Sequence, residues 1–142
     1  MNYLVDVNVW VALTAIGHVH NSLALSWFDE ADADQIIFCR VTQQGYLRLL
    51  TNRSVMRANV VSPAEAWDFY DELLTDSRVI YRSEPPGLEQ VWRKMTGRSK
   101  SRGPNFWTDA YLAAFAAAAD LTIVTFDEGF DAYAGVRALN LA

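Results

Sequence analysis

Short apolar runs alternate along this chain with longer stretches of helical periodicity, and that alternation predicts an α/β fold in which crossover helices cover both faces of a mostly parallel sheet. Two further observations agree. The apolar runs are rich in β-branched residues and too short to be helices, and the chain of 142 residues is about one domain's worth of sequence. The expectation is therefore a single domain over residues 1–142, with a hydrophobic content of 51% able to fill its core.

The elements follow in order. Tyr3-Leu4-Val5 reads as the first buried strand. His20, Leu23, Ala24, Trp27 and Phe28 then recur at the spacing of an amphipathic helix. Ile36 to Cys39 is a second strand, followed by a helix from Thr42 to Leu50. Ser62-Pro63-Ala64-Glu65 places a capping serine, a proline at the first helical position and a glutamate three residues after the cap, so Ser62 and Glu65 are read as caps of a helix carrying Ala66, Phe69, Tyr70 and Leu73. Val79-Ile80-Tyr81 is the third strand, Pro85-Pro86-Gly87 punctuates the chain, and a helix is expected over Leu88 to Met95. Gly97 to Pro104 reads as a polar loop. Phe106 to Ala119 is apolar nearly all round and so predicts a buried helix. Leu121 to Thr125 is the fourth strand, and a weaker fifth lies near Val136 to Leu139.

Charge narrows the function. Twelve basic against seventeen acidic residues give a net charge of −5, which argues against a protein that coats nucleic acid by bulk electrostatics. Five of the basic residues, Arg93, Lys94, Arg98, Lys100 and Arg102, fall within one ten-residue stretch, which is either a solvated loop or a local patch for flanking phosphates. No apolar run approaches the ~20 residues of a membrane span, and no signal-peptide pattern opens the chain. The lone cysteine, Cys39, lies in an apolar run and is expected to be a buried thiol. These features predict a soluble cytoplasmic protein.

Three acidic residues stand where a structural role explains them poorly. Asp6 closes the first strand among apolar neighbours, at the end of a parallel strand where open α/β sheets place ligands, although an N-cap of the next helix would also suit it. Asp109 lies near the start of the apolar helix, where Asn105 or Thr108 is available as the cap. Asp127 directly follows the fourth strand, in an Asp-Glu-Gly context that also suits a turn. Three carboxylates meeting in one crevice repel one another unless a cation neutralises them, and Mg²⁺ prefers such oxygen ligands together with water and substrate phosphate. His18 and His20 have no second pair at zinc spacing.

At these residues the chain resembles the PIN-domain family, and within it the VapC toxins of bacterial toxin–antitoxin modules. The resemblance rests on Val5-Asp6-Val7-Asn8-Val9-Trp10, on Thr108-Asp109-Ala110-Tyr111-Leu112-Ala113-Ala114 and on Val124-Thr125-Phe126-Asp127, in this order over essentially the whole chain. It implies an α/β/α sandwich and Mg²⁺ or Mn²⁺ held by Asp6, Asp109 and Asp127, with Asn8 and Thr125 as supporting polar groups. It also implies endonucleolytic cleavage of structured RNA, often transfer RNA, by a metal-activated water with no protein nucleophile. One departure stands out. The family's glutamate on the helix after the second strand has no acidic counterpart in Val41-Thr42-Gln43-Gln44-Gly45-Tyr46-Leu47-Arg48; it falls at Gly45 or an adjacent glutamine. That leaves metal affinity and metal number open, and makes a PIN-like module that binds RNA or protein without cutting the main alternative. Asp6-Val7-Asn8 also resembles the start of haloacid-dehalogenase-like phosphatases, which place a second aspartate where Asn8 stands.

The expected partners are RNA, a cognate antitoxin and a second copy of the chain. The homodimer follows from the resemblance and from Trp10, Trp27, Phe28 and Tyr46, aromatics that exceed what one thin sandwich easily hides; the alternative is that they fill the core.

Overall fold

A computed structural model describes residues 1–142. Its centre is a five-stranded sheet built from β1 (Asn2–Val5), β2 (Gln35–Phe38), β3 (Val79–Tyr81), β4 (Thr122–Thr125) and β5 (Arg137–Asn140). The strands run in the order β3-β2-β1-β4-β5, and every neighbouring pair is parallel. The chain therefore builds outward from β1 to one edge, then returns to the other side of β1 for β4 and β5. The reversal lies between β1 and β4, and parallel α/β sheets open a crevice at the carboxyl ends of the strands where the order reverses.

The alternation of side chains along each strand splits the core into two layers. Val5, Ile36, Phe38 and Val124 point to the face covered by α1 (Val7–Thr14), α2 (Asn21–Glu30), α3 (Arg40–Leu50) and α5 (Pro63–Leu73). Leu4, Ile37 and Ile123 point the other way, beneath α6 (Leu88–Thr96) and α7 (Phe106–Ala119). This is the expected α/β/α sandwich. A short helix, α4 (Arg53–Met56), joins α3 to the segment before α5. No helix is long and apolar enough to cross a membrane.

Local chemistry explains the element starts. The Ser62 hydroxyl accepts from the Glu65 N–H while the Glu65 carboxylate accepts from the Ser62 N–H, the reciprocal pair that the sequence pattern predicts. Cys39 is buried, as expected, and caps α3 in a similar exchange with Thr42. Asn105 precedes α7 but makes no side-chain capping bond, contrary to the expected cap, so its amide is left for other work.

The aromatics of the early helices need a correction. Trp10 and Tyr46 are fully buried rather than exposed, and Trp27 and Phe28 pack partly buried against the same core layer. Trp10 stacks on Phe38 with ring centroids 3.8 Å apart, and Phe38 meets Tyr46 and Tyr70. Burying such rings contributes more than leaving them as an unpaired surface. They therefore give no support to self-association, which must rest on other residues.

Candidate active site

Asp6 follows β1 and Asp127 lies two residues beyond β4, so adjacent strands deliver both to the crevice at the switch point. The amino-terminal turn of α7 brings Asp109 to the same place. All three line one cleft of about 460 Å³, together with Asn8, Gln44, Gly45, Arg48, Asn105 and Thr108. The predicted convergence is thus present in the fold.

Asp6 is the anchored member. Its backbone N–H donates to the Val124 carbonyl (2.9 Å), tying the end of β1 to β4. One carboxylate oxygen accepts from the Val7 N–H (2.8 Å) and the other from the Thr125 hydroxyl (2.7 Å). Asp6 therefore caps α1 and also faces the cleft; the two readings of this residue are compatible. Thr125, fully buried, in turn accepts from the Asp127 N–H (3.0 Å), so one hydroxyl sets both the Asp6 carboxylate and the backbone that carries Asp127. Asn8 accepts weakly from the Phe126 N–H (3.4 Å), and Asn140 on β5 donates to the Asp127 carbonyl (3.2 Å). Both supporting residues named from the sequence act on the loop that presents Asp127.

The electrostatics are those of an unneutralised anionic cluster. Burial pushes the Asp6 carboxyl up from 3.8 to about 6, against the lowering effect of its hydrogen bonds to Thr125 and Val7, and the charges of Asp127 and Asp109 push the same way as burial. Asp109 is also raised, first by burial and then by Asp127. None of the three takes part in an ion pair, since the three salt bridges are Arg78–Asp76, Arg93–Glu89 and Arg137–Asp120. The side chains of Asp109 and Asp127 accept no hydrogen bond from any of the residues that donate elsewhere in the fold.

Hard oxygen donors with free lone pairs and uncompensated charge suit Mg²⁺ or Mn²⁺. No three acidic, histidine or cysteine side chains, these aspartates included, stand close enough together to hold a metal ion by themselves. The donor set fits a cation that keeps several waters and shares its remaining positions with phosphate, rather than one enclosed by protein.

The wall contributed by α3 carries no acid. Gln43 is buried and its carbonyl accepts from the Arg40 guanidinium, so it is turned away from the cleft. Gln44, Gly45 and Arg48 are the α3 residues that reach the cleft together with Val41 and Leu49. The basic stretch stands beside the cleft and not in it, a placement compatible with both uses its sequence suggests, a solvated loop or a patch for flanking phosphates. Its Arg98, Lys100 and Arg102 do not line the cleft, whereas its Ser101, Gly103 and Pro104 border an adjoining hollow of about 300 Å³ that shares Asn105 and Asp109 with it.

The model of the PIN domain family matches residues 3–136, nearly the whole chain and all of the residues that build this cleft. The chain belongs to the PIN-domain family. Ribonuclease VapC41 of Mycobacterium tuberculosis is 44% identical over 144 residues, with 98% of each chain covered. Ribonuclease VapC39 of the same organism is 31% identical over 89% of each. Among solved structures, VapBC2 from Rickettsia felis, bound to a DNA fragment from its promoter, superposes with a TM-score of 0.68 at 16% identity, covering 99% of this chain and 98% of that one. The M. tuberculosis toxin VapC20, described as cleaving the sarcin-ricin loop, superposes with a TM-score of 0.65 at 18% identity, over 95% and 98%. At such identities these structures speak to the fold, and the sequence relatives place this PIN domain with the VapC proteins.

Proposed function

We propose that this VapC-type PIN domain is a divalent-cation-dependent endoribonuclease, the toxin of a toxin–antitoxin pair. The observation that carries the reading is the meeting of Asp6, Asp109 and Asp127 in one cleft at the sheet's switch point, none of them in an ion pair. The ribonuclease names of its full-length relatives support it. Asp6, Asp109 and Asp127 would hold Mg²⁺ or Mn²⁺, which when bound supplies charge neutralisation and an activated water for phosphodiester hydrolysis.

The chain's own residues prepare that chemistry. Asp6 is fixed by the two bonds that pin its carboxylate, so no reorganisation is needed as substrate enters. Thr125 links it to the Asp127 loop and keeps the two carboxylates in register. Asn105, uncommitted at the start of α7, and Thr108 offer neutral polar groups to the sugar–phosphate chain beside Asp109. None of the cleft residues is a histidine, lysine, serine or cysteine, the side chains that ordinarily act as nucleophile or base in metal-free RNA cleavage.

An antitoxin and a second copy of the chain are the partners of this reading. Surface is available for them: Ile16 and Val19, 88% and 86% exposed, lie between α1 and α2, beside a hollow lined by Leu25, Phe28, Phe69 and Leu73.

The lack of an acid on α3 favours a second reading, a PIN domain that binds RNA without cutting it. Purified protein incubated with total RNA separates the two. Fragments that form in Mg²⁺ or Mn²⁺, vanish with chelator and are absent with Asp109→Asn support the ribonuclease. Binding without fragments at any cation concentration supports the alternative.

A further inference from the structure

The α3 wall of the cleft reverses the charge of the opposite side. No residue of α3 is acidic, and Arg48 is the one cationic side chain among the residues lining the cleft. It is exposed and enters none of the ion pairs of the fold. Arg40, the other arginine of α3, is occupied: its guanidinium donates to Gln43 and lies 4.7 Å over the Tyr81 ring. Gln44 precedes Arg48 by one helical turn on the same side and lines the cleft with it.

Between them, Gly45 keeps the wall low. A Cβ built at Gly45 would stand 2.7 Å from the Val7 Cγ2 methyl, so α1 approaches α3 too closely for a side chain there. No side chain therefore reaches the cleft from Gly45, and the α3 side chains that line it beside the glycine, Gln44 and Arg48, are neutral and positive.

We infer that Arg48 is a phosphate-binding residue: its guanidinium takes a non-bridging oxygen of an RNA phosphodiester on the α3 side of the cleft, opposite Asp109 and Asp127, with Gln44 donating beside it. The assignment rests on the ribonuclease reading and adds to it a residue that holds the substrate. An unpaired guanidinium is the side chain best suited to a phosphate, through two parallel N–H donors. The four remaining free cations of the basic stretch lie outside the cleft and would meet the strand farther along.

The test uses full-length Asp109→Asn protein, which retains the α3 wall, and measures binding of transfer RNA and of oligouridylate in Mg²⁺ across a salt series. Adding Arg48→Gln should weaken binding roughly tenfold, as expected for a lost hydrogen bond to a charged group, and make the salt dependence shallower by about one phosphate contact. Arg48→Lys should keep the salt slope and recover part of the affinity. Arg137→Gln removes the same charge from β5 at the opposite end of the sheet, and should leave the slope unchanged. In an otherwise wild-type chain that cleaves RNA, Arg48→Gln should raise KM more than it lowers kcat. Cleavage by the wild type together with affinity and slope unaltered by Arg48→Gln, or altered equally by Arg137→Gln, would overturn this assignment and leave the ribonuclease standing. A wild type that cuts no RNA, with a parent that binds none, would overturn both.

Discussion

Replacing Asp6 with asparagine should stabilise the metal-free protein while removing its activity. The Asp6 carboxyl is held at about 6 rather than 3.8, chiefly by burial, so the folded state favours the protonated form. Its contribution to stability is then fully present below pH 3.8 and is lost as pH rises through 6. The interval corresponds to roughly 3 kcal/mol by which ionised Asp6 weighs against the fold at neutral pH. Asparagine does not ionise. Its carbonyl can accept from the Val7 N–H and its amide can donate to the Thr125 hydroxyl oxygen, so the two bonds of Asp6 are replaced with a reorganisation cost of about 1 kcal/mol. In chelator near pH 8, Asp6→Asn should therefore exceed the wild type by about 2 kcal/mol, a rise in Tm of about 5 °C for a chain of this size. The gain should vanish at about pH 4.5 and turn into a deficit approaching about 1 kcal/mol at lower pH, where only the reorganisation cost remains, and saturating Mg²⁺ at neutral pH should close the gap by favouring the ionised aspartate. Thermal melts over a pH series in chelator and in Mg²⁺ give the comparison. A variant less stable than the wild type at every pH would mean that Asp6 serves mainly as the cap of α1, and that the repulsive-cluster argument is wrong.

Two other consequences can be checked. Gly45→Ala should destabilise by about 1–3 kcal/mol despite the better helix propensity of alanine, because its Cβ meets Val7 at 2.7 Å; Val7→Ala in the same chain should recover more than additivity allows in urea melts, and simple additivity would show that the close approach relaxes freely. Because three carboxylates leave cation positions for phosphate, Mg²⁺ and a non-cleavable RNA analogue should each raise the affinity of the wild-type protein for the other by the same factor in calorimetry, whereas tight Mg²⁺ binding without RNA would point to a further ligand, with Glu128 and Asp131 the first to mutate.

Much of this architecture was legible because its signals are local. Period and composition marked the five strands and the buried α7, and the Ser62–Glu65 pattern marked the start of α5; strand ends moved by a residue because pairing register, not propensity, sets them. Asp6 and Asp127 stood out because carboxylates at strand ends among apolar residues have few structural uses, and Asp109 because Asn105 or Thr108 was available to cap α7 in its place. What stayed hidden depends on packing between distant elements. Whether Trp10 and Tyr46 face solvent or core is decided by how α1, α3 and β2 meet, and hydrophobicity alone does not distinguish an interface from a core. Arg48 carries no signal of its own; only the approach of Val7 to Gly45 and the commitment of Arg40 to Tyr81 single it out.

The central claim is that solvent water, prepared in the carboxylate cleft, cuts the RNA chain. The most direct measurement is the chemistry of the product ends after cleavage by the purified protein in water labelled with heavy oxygen. Hydrolysis at Asp6, Asp109 and Asp127 predicts a terminal phosphate carrying label from the cleavage step itself, a free hydroxyl on the other fragment, and no 2′,3′-cyclic phosphate at early times. Unlabelled cyclic phosphate ends, formed as well in chelator and by Asp109→Asn, would mean that the RNA's own 2′-hydroxyl attacks and that these carboxylates do not make the cut.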